Sequence, residues 1–147
     1  MSLFGLLSIS GSGIDTNQTW LNAIGSNIAN INDAVNPAKT PFLQQEIVAA
    51  PGAVPTGYGP SQSAIPTSPL NGMGVHVAAV TTNLPNGVLT YDPTSPVANA
   101  SGYVRTPGIS LADQLGNLNI AEANYQANVA VINHAKSIYQ SALTLAV

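Results

Sequence analysis

The sequence predicts an α+β protein: long N- and C-terminal helices packed as a coiled-coil-like pair, around a small middle region that contains a β-hairpin. Two observations carry this. All eleven prolines fall between Pro37 and Pro107, and proline breaks helix interiors, so the two proline-free ends read as helical arms. The C-terminal end also repeats its apolar residues at the alternating 4-3 spacing of a helix that packs on another helix. The chain divides accordingly into an N-terminal arm (1–36), a middle region (37–109) and a C-terminal arm (110–147).

In the N-terminal arm, Ile14, Leu21, Ile24, Ile28 and Ile31 fall on one stripe, with Asn17 as a polar member. Ser12 and Asp15 suit a helix start, and Gly11 and Gly13 weaken any helix before them. The helix is expected to stop near Asn30, where Asn and Asp accumulate ahead of Pro37. In the middle, Pro51 to Gly72 is rich in Pro, Gly, Ser and Thr and reads as a flexible loop. Val75–Thr82 and Val88–Tyr91 flank Leu84-Pro85-Asn86-Gly87, good turn chemistry, which predicts a hairpin over about 74–92. Glu46–Ala50 and Tyr103–Arg105 are further short strands.

The C-terminal arm carries the strongest pattern. Leu111, Leu115, Leu118, Glu122, Tyr125, Val129, Ile132, Lys136, Tyr139 and Leu143 form a seam interrupted only by Glu122 and Lys136. Those two either fix register inside the seam or reach out to solvent. Ser110 and Asp113 supply a cap, after Pro107 and Gly108 have stopped any earlier helix. The helix would run about 50 Å at 1.5 Å per residue. Its flanks hold alanines and uncharged amides, which suit either the wall of a multi-subunit bundle or an amphipathic helix folded on its own domain. Burying one stripe does not clearly outweigh the entropy of ordering an arm of this length. The arms are therefore expected to be largely disordered in the monomer, with their seams completed by other chains.

Composition narrows the function. Of the 147 residues 6% are charged, the net charge is −3, and only Lys39, Arg105 and Lys136 are basic. That leaves no basic patch for nucleic acid or an anionic membrane, and points to a surface covered by other protein or adapted to an acidic exterior. With no cysteine, neither disulfides nor a cysteine zinc site staple the fold. No segment has the length and apolarity of a membrane span, and no basic residue precedes Lys39 to make a cleavable secretory signal. His76 and His134 lack ligand spacing. Asp92, Asp113 and Glu122 are carboxylates of the kind that cleave sugars, but nothing in the sequence pairs them. Phosphate-loop, dinucleotide and nucleophile-elbow patterns are missing, and the sequons at Asn17 and Asn99 are of a kind that arises by chance. We expect no catalytic residue, cofactor or metal.

Three stretches together resemble the flagellar axial proteins, the family of rod and hook subunits, and most closely its short proximal-rod branch. Ser26-Asn27-Ile28-Ala29-Asn30, preceded by Leu21-Asn22, resembles the signature that ends the N-terminal helix. Gly102-Tyr103-Val104, separated from Pro107 by two residues, resembles the lead into the C-terminal helix, as do Tyr91-Asp92-Pro93 and Pro96 to Ala100 before it. Tyr125-Gln126-Ala127-Asn128-Val129, Lys136-Ser137 and Leu143-Thr144-Leu145 resemble that helix itself. The likeness spans both arms and the hairpin region, about two thirds of the chain. Trp20 and Ala123 stand where the family often has arginine, in keeping with the low charge.

The resemblance implies a structural, non-enzymatic subunit. It would be exported through the flagellar type III gate without a cleaved signal and polymerise in the periplasm as part of the drive shaft. Its partners would be copies of itself, other rod subunits, the export apparatus and the surrounding basal-body rings. The seams and motifs together designate an assembly interface: Ile14, Leu21, Ile24, Asn27, Ile28 and Asn30 on the first arm, with Leu111, Leu115, Leu118, Tyr125, Asn128, Val129, Ile132, Tyr139 and Leu143 on the second. Two readings compete: another self-assembling extracytoplasmic filament or adhesin subunit, and a periplasmic wall-cleaving enzyme. Low charge and paired arms disfavour the enzyme, and the motif set favours the rod over the filament.

Overall fold

A computed structural model of the chain describes residues 3–52, 74–82 and 86–145. In chain order the elements are α1 (Leu3–Ala29), β1 (Gln45–Pro51), β2 (Val75–Thr82), β3 (Val88–Tyr91), β4 (Tyr103–Thr106) and α2 (Leu111–Leu145). The architecture is α+β: two long terminal helices packed on each other, and two small antiparallel sheets from the middle. Most of the expected loop over 51–72 lies outside the described residues.

α1 begins well before the expected start at Ser12. Ser12 is an interior helical residue whose Oγ donates to the Ile9 carbonyl (2.7 Å) and accepts the Val75 N–H at the start of β2 (3.1 Å). Gly13 is tolerated because its missing side chain is needed. A Cβ there would stand 2.8 Å from Oδ1 of Asn128 on α2, so a tertiary contact offsets the propensity cost of glycine. The helix ends where expected. Asn30 Nδ2 and the Asn30 N–H both donate to the Ser26 carbonyl, at 2.8 and 3.2 Å, satisfying a carbonyl that the helix end would orphan. α2 starts as predicted: Ser110 Oγ accepts the Asp113 N–H at 3.3 Å, the arrangement of an N-cap.

The expected hairpin between Val75–Thr82 and Val88–Tyr91 does not form. β2 pairs instead with β1, from Gln45↔Thr82 to Pro51↔Val75 with a bulge between Val48 and Ala49. β3 pairs with β4, from Val88↔Thr106 to Tyr91↔Tyr103. The segment between β2 and β3 links two sheets. Turn chemistry fixes only that the chain changes direction; α1 decides the pairing. Asn27 on α1 holds Gln45, the first residue of β1, and Ser12 on α1 holds Val75, the first of β2. Fifteen residues of helix span about 22 Å, and a seven-residue strand spans about 20 Å. The two anchors therefore lay β1 and β2 antiparallel along one helix, in register end to end. Gly52 N–H donates to the Gly74 carbonyl at 2.8 Å and closes the far end.

The second sheet is fixed by backbone chemistry. Gly102 takes φ +77° where a Cβ would meet the Tyr91 ring at 2.9 Å, and Tyr91 and Tyr103 stack edge to face at 5.3 Å. Asn99 Oδ1 accepts the N–H groups of Ser101 (2.9 Å) and Tyr103 (3.0 Å), shaping the turn into β4. Val35 adds a bridge to Arg105 through two 2.9 Å bonds, tying the segment after α1 to β4. α1 packs against both α2 and the β1–β2 sheet. Among the described residues Ala23, Ile24, Val104, Ala121 and Ala135 are buried, alongside the polar Ser10, Thr16, Asn27 and Gln114.

Candidate assembly interface

The two arms meet inside one chain. Asn27 faces Gln114 and Gly13 faces Asn128, contact points fourteen residues apart on both helices, so α1 and α2 run antiparallel in a fixed register. The face of α2 turned to α1 carries Gln114, Leu118, Ala121, Tyr125, Asn128, Ile132 and Ala135, all buried or half-buried. This is a 4-3 seam, rotated from the one read in the sequence. Leu118, Tyr125 and Ile132 belong to both, while Gln114, Ala121, Asn128 and Ala135 replace Leu115, Glu122, Val129 and Lys136. The physical reason is size and charge. Ala121 and Ala135, at 0% and 1% exposure, let the backbones approach, and the rotation leaves Glu122 and Lys136 on the exposed surface, so no charge is desolvated. Of the two readings open for them, reaching out to solvent is the one the structure shows.

At one end of this seam sits a polar node. Asn27 is 1% exposed and Gln114 2%. Asn27 Nδ2 donates to the Gln45 carbonyl (2.8 Å) and to Gln114 Oε1 (3.0 Å), while Asn27 Oδ1 accepts the Gln45 N–H (2.8 Å). One amide thus ends α1, starts β1 and anchors the first turn of α2, with every bond it makes buried or half-buried. An aliphatic residue at 27 would strand the backbone of Gln45.

The fifteen designated residues separate into three groups. Ile24 and Asn27, at 2% and 1% exposure, are spent inside the chain and have no surface to offer a neighbour. Ile14, Leu21, Ile28, Asn30, Leu118, Tyr125, Asn128, Val129 and Ile132 are half-buried. Leu111, Leu115, Tyr139 and Leu143 are about half exposed, at 48, 46, 50 and 51%. Ile120, Val131, Ile138 and Leu145 are also exposed apolar residues of α2, which the single-seam reading missed because they lie on another face of the helix. Gln114 was missed as well. Among so many amides nothing in the sequence singles it out, and its importance arises only from its place opposite Asn27.

Asp92 Oδ1 accepts Thr94 N–H (3.1 Å) and Thr94 Oγ1 (2.7 Å) and so shapes a turn. Asp113 and Glu122 are exposed on α2, and His76 and His134 are exposed on different elements. Among the described residues no group of three His, Asp or Glu side chains comes together. No helix among them is long and apolar enough to cross a membrane.

Comparison with known proteins gives a consistent set of relatives. The family described as flagellar basal body rod FlgEFG protein C-terminal matches residues 100–145, which span the turn into β4, β4 itself and α2. The flagellar basal-body rod protein FlgC of Escherichia coli O6:H1 is 34% identical, covering 99% of this chain and 98% of that protein. The protein of the same name from Salmonella typhimurium is 32% identical over the same shares of both chains. That of Bacillus subtilis is 29% identical, with 99% of both covered.

Proposed function

The chain belongs to the FlgC family of flagellar basal-body rod proteins and is a structural subunit of the rod; we propose that it is held there, in the proximal rod, by packing of its terminal helices against neighbouring subunits. The observation that carries this is the outer surface of α2. Leu111, Leu115, Tyr139 and Leu143 stand about half exposed on a helix whose only charged residues are Asp113, Glu122 and Lys136. Such a surface favours removal from water against other protein, since each large apolar side chain gains about 1.5–3 kcal/mol on full burial. The half-buried residues between them, with Ile14, Leu21, Ile28 and Asn30 on α1, complete the contact.

In this reading the chain catalyses nothing and takes no cofactor. Its partners are copies of itself, other rod subunits, the export apparatus and the basal-body rings. It leaves the cell through the flagellar export gate without a cleaved signal and works in the periplasm. Electron microscopy of basal bodies from a strain lacking the chain tests the proposal. Rods should be absent and return with the parent chain, but not with Leu111→Ser/Leu115→Ser. Intact rods in the deletion strain would refute it.

A further inference from the structure

One face of the β3–β4 sheet is apolar and open. Leu89↔Arg105 and Tyr91↔Tyr103 are cross-strand pairs two residues apart, so the four side chains share that face. Leu89, Tyr91 and Tyr103 are 56, 65 and 42% exposed, and the two rings meet edge to face. The edge of β3 is open as well. Arg105 gives its N–H and carbonyl to Val35. Leu89 therefore stands opposite it in a pair without mutual bonds, and points its own N–H and carbonyl away from β4. Alternation turns those of Tyr91 the same way. Among the described residues no strand pairs with this edge.

Arg105 adds a charge that the chain leaves unanswered. It is the only arginine and is half-buried, and its Nε is buried without an acceptor. The chain's six carboxylates are engaged or placed elsewhere. Asp33, Asp92 and Glu122 accept bonds from Phe42, Thr94 and Gln126. Asp15 and Asp113 sit on the helices and Glu46 on β1, in the other sheet. A half-buried guanidinium without an acceptor is costly, and a carboxylate brought by a partner recovers that cost.

We propose that the β3–β4 face docks an extended, acidic segment of a different rod subunit. The backbone of that segment adds to the open edge at Leu89 and Tyr91, an apolar side chain lies against the tyrosine pair, and a carboxylate engages Arg105. The proposal rests on the rod-subunit reading and adds a contact outside the terminal helices. Unpaired edge groups call for an extended backbone. An added strand lies about 10 Å from β4, a distance that an arginine and a glutamate side chain span between them. A second copy fits less well. Its one strand-borne carboxylate, Glu46, follows Gln45, whose backbone Asn27 already holds. The edge is short, so the contact falls well below the roughly 800 Å² per partner of a stable interface. It forms inside the assembly, where other contacts keep the subunits at high effective concentration.

The test places a photo-crosslinker on this face, as Leu89→p-benzoylphenylalanine, in cells lacking the parent chain. Basal bodies are purified, irradiated and mapped by mass spectrometry. The expected result is an adduct to a different protein, in a non-helical segment beside an Asp or Glu. Adding Arg105→Glu should abolish the adduct, and replacing the mapped partner carboxylate by arginine should restore it, which a misfolded chain cannot do. Should Arg105→Glu keep the chain out of basal bodies, entry becomes the readout, and the reversed partner should restore it. Should Leu89→p-benzoylphenylalanine itself fail to enter, the crosslinker is placed as Tyr91→p-benzoylphenylalanine. The inference is overturned by an adduct within one chain, to a second copy, to a glycan or to an acid-free or helical segment. It is equally overturned by no adduct in basal bodies that contain the variant, by an adduct undiminished by Arg105→Glu, or by failure of the charge swap to restore it. Absence of the parent chain from basal bodies, read by immunoblot, would instead overturn the rod reading itself.

Discussion

Replacing Asn27 by alanine removes three hydrogen bonds at once: two to the backbone of Gln45, at 2.8 Å each, and one to Gln114 at 3.0 Å. The groups left behind differ in how readily water reaches them. Gln45 is half-buried, so its N–H and carbonyl regain partial solvation and cost about 1 kcal/mol each, the lower end for a stranded polar group. The Gln114 amide is 2% exposed and costs about 1–2 kcal/mol. Asn27→Ala should therefore lose about 3–4 kcal/mol, measured by urea unfolding followed through helical circular dichroism. A double-mutant cycle with Gln114→Ala isolates the side-chain pair, with an expected coupling of about 1 kcal/mol. Asn27→Leu/Gln114→Leu is the sharper variant. It makes the pair apolar, which by itself is nearly neutral, yet still strands Gln45, so a loss of about 2 kcal/mol should persist. Asn27→Ala within 0.5 kcal/mol of the parent, or zero coupling in the cycle, would refute the node as the tie among α1, β1 and α2.

Other outcomes follow from the same geometry. Gly13→Ala gains helix propensity but crowds Asn128, so it should stabilise by about 1 kcal/mol in an Asn128→Ala background and by clearly less in the parent, read as a difference in Tm. Gly102→Ala forces a side chain into φ +77° and against the Tyr91 ring, and should cost about 2 kcal/mol or more in the same denaturation assay. Glu122→Ala and Lys136→Ala should each stay within about 0.5 kcal/mol of the parent, since both side chains are exposed and outside the α1 seam. Leu111→Ser/Leu115→Ser should leave the unfolding midpoint nearly unchanged while abolishing swimming on soft agar, because those side chains are already half exposed in the single chain.

The sequence by itself determined the two helices, the end of α1 and the start of α2, but not the start of α1. Proline's exclusion from the arms, the Ser110 cap and the amide run at Asn30 act within a turn or two, so they are legible without the rest of the molecule. It also determined that residues around 45–50, 75–82, 88–91 and 103–105 are extended, and its three motifs pointed to the family. Tertiary structure alone decided what those elements pair with. Helix periodicity gave one seam, and the structure uses a face rotated from it, chosen by Ala121, Ala135 and Gly13, whose small size matters only once a second helix is beside them. Strand pairing went the same way. Leu84-Pro85-Asn86-Gly87 is a local instruction to turn, but Asn27 and Ser12 anchor β1 and β2 along α1, from 18 and 63 residues away. Periodicity and turn chemistry are short-range. Close packing and buried hydrogen bonds are satisfied only by the whole chain at once, and at Gln114 a residue indistinguishable among its neighbours became half of the node that holds the fold together.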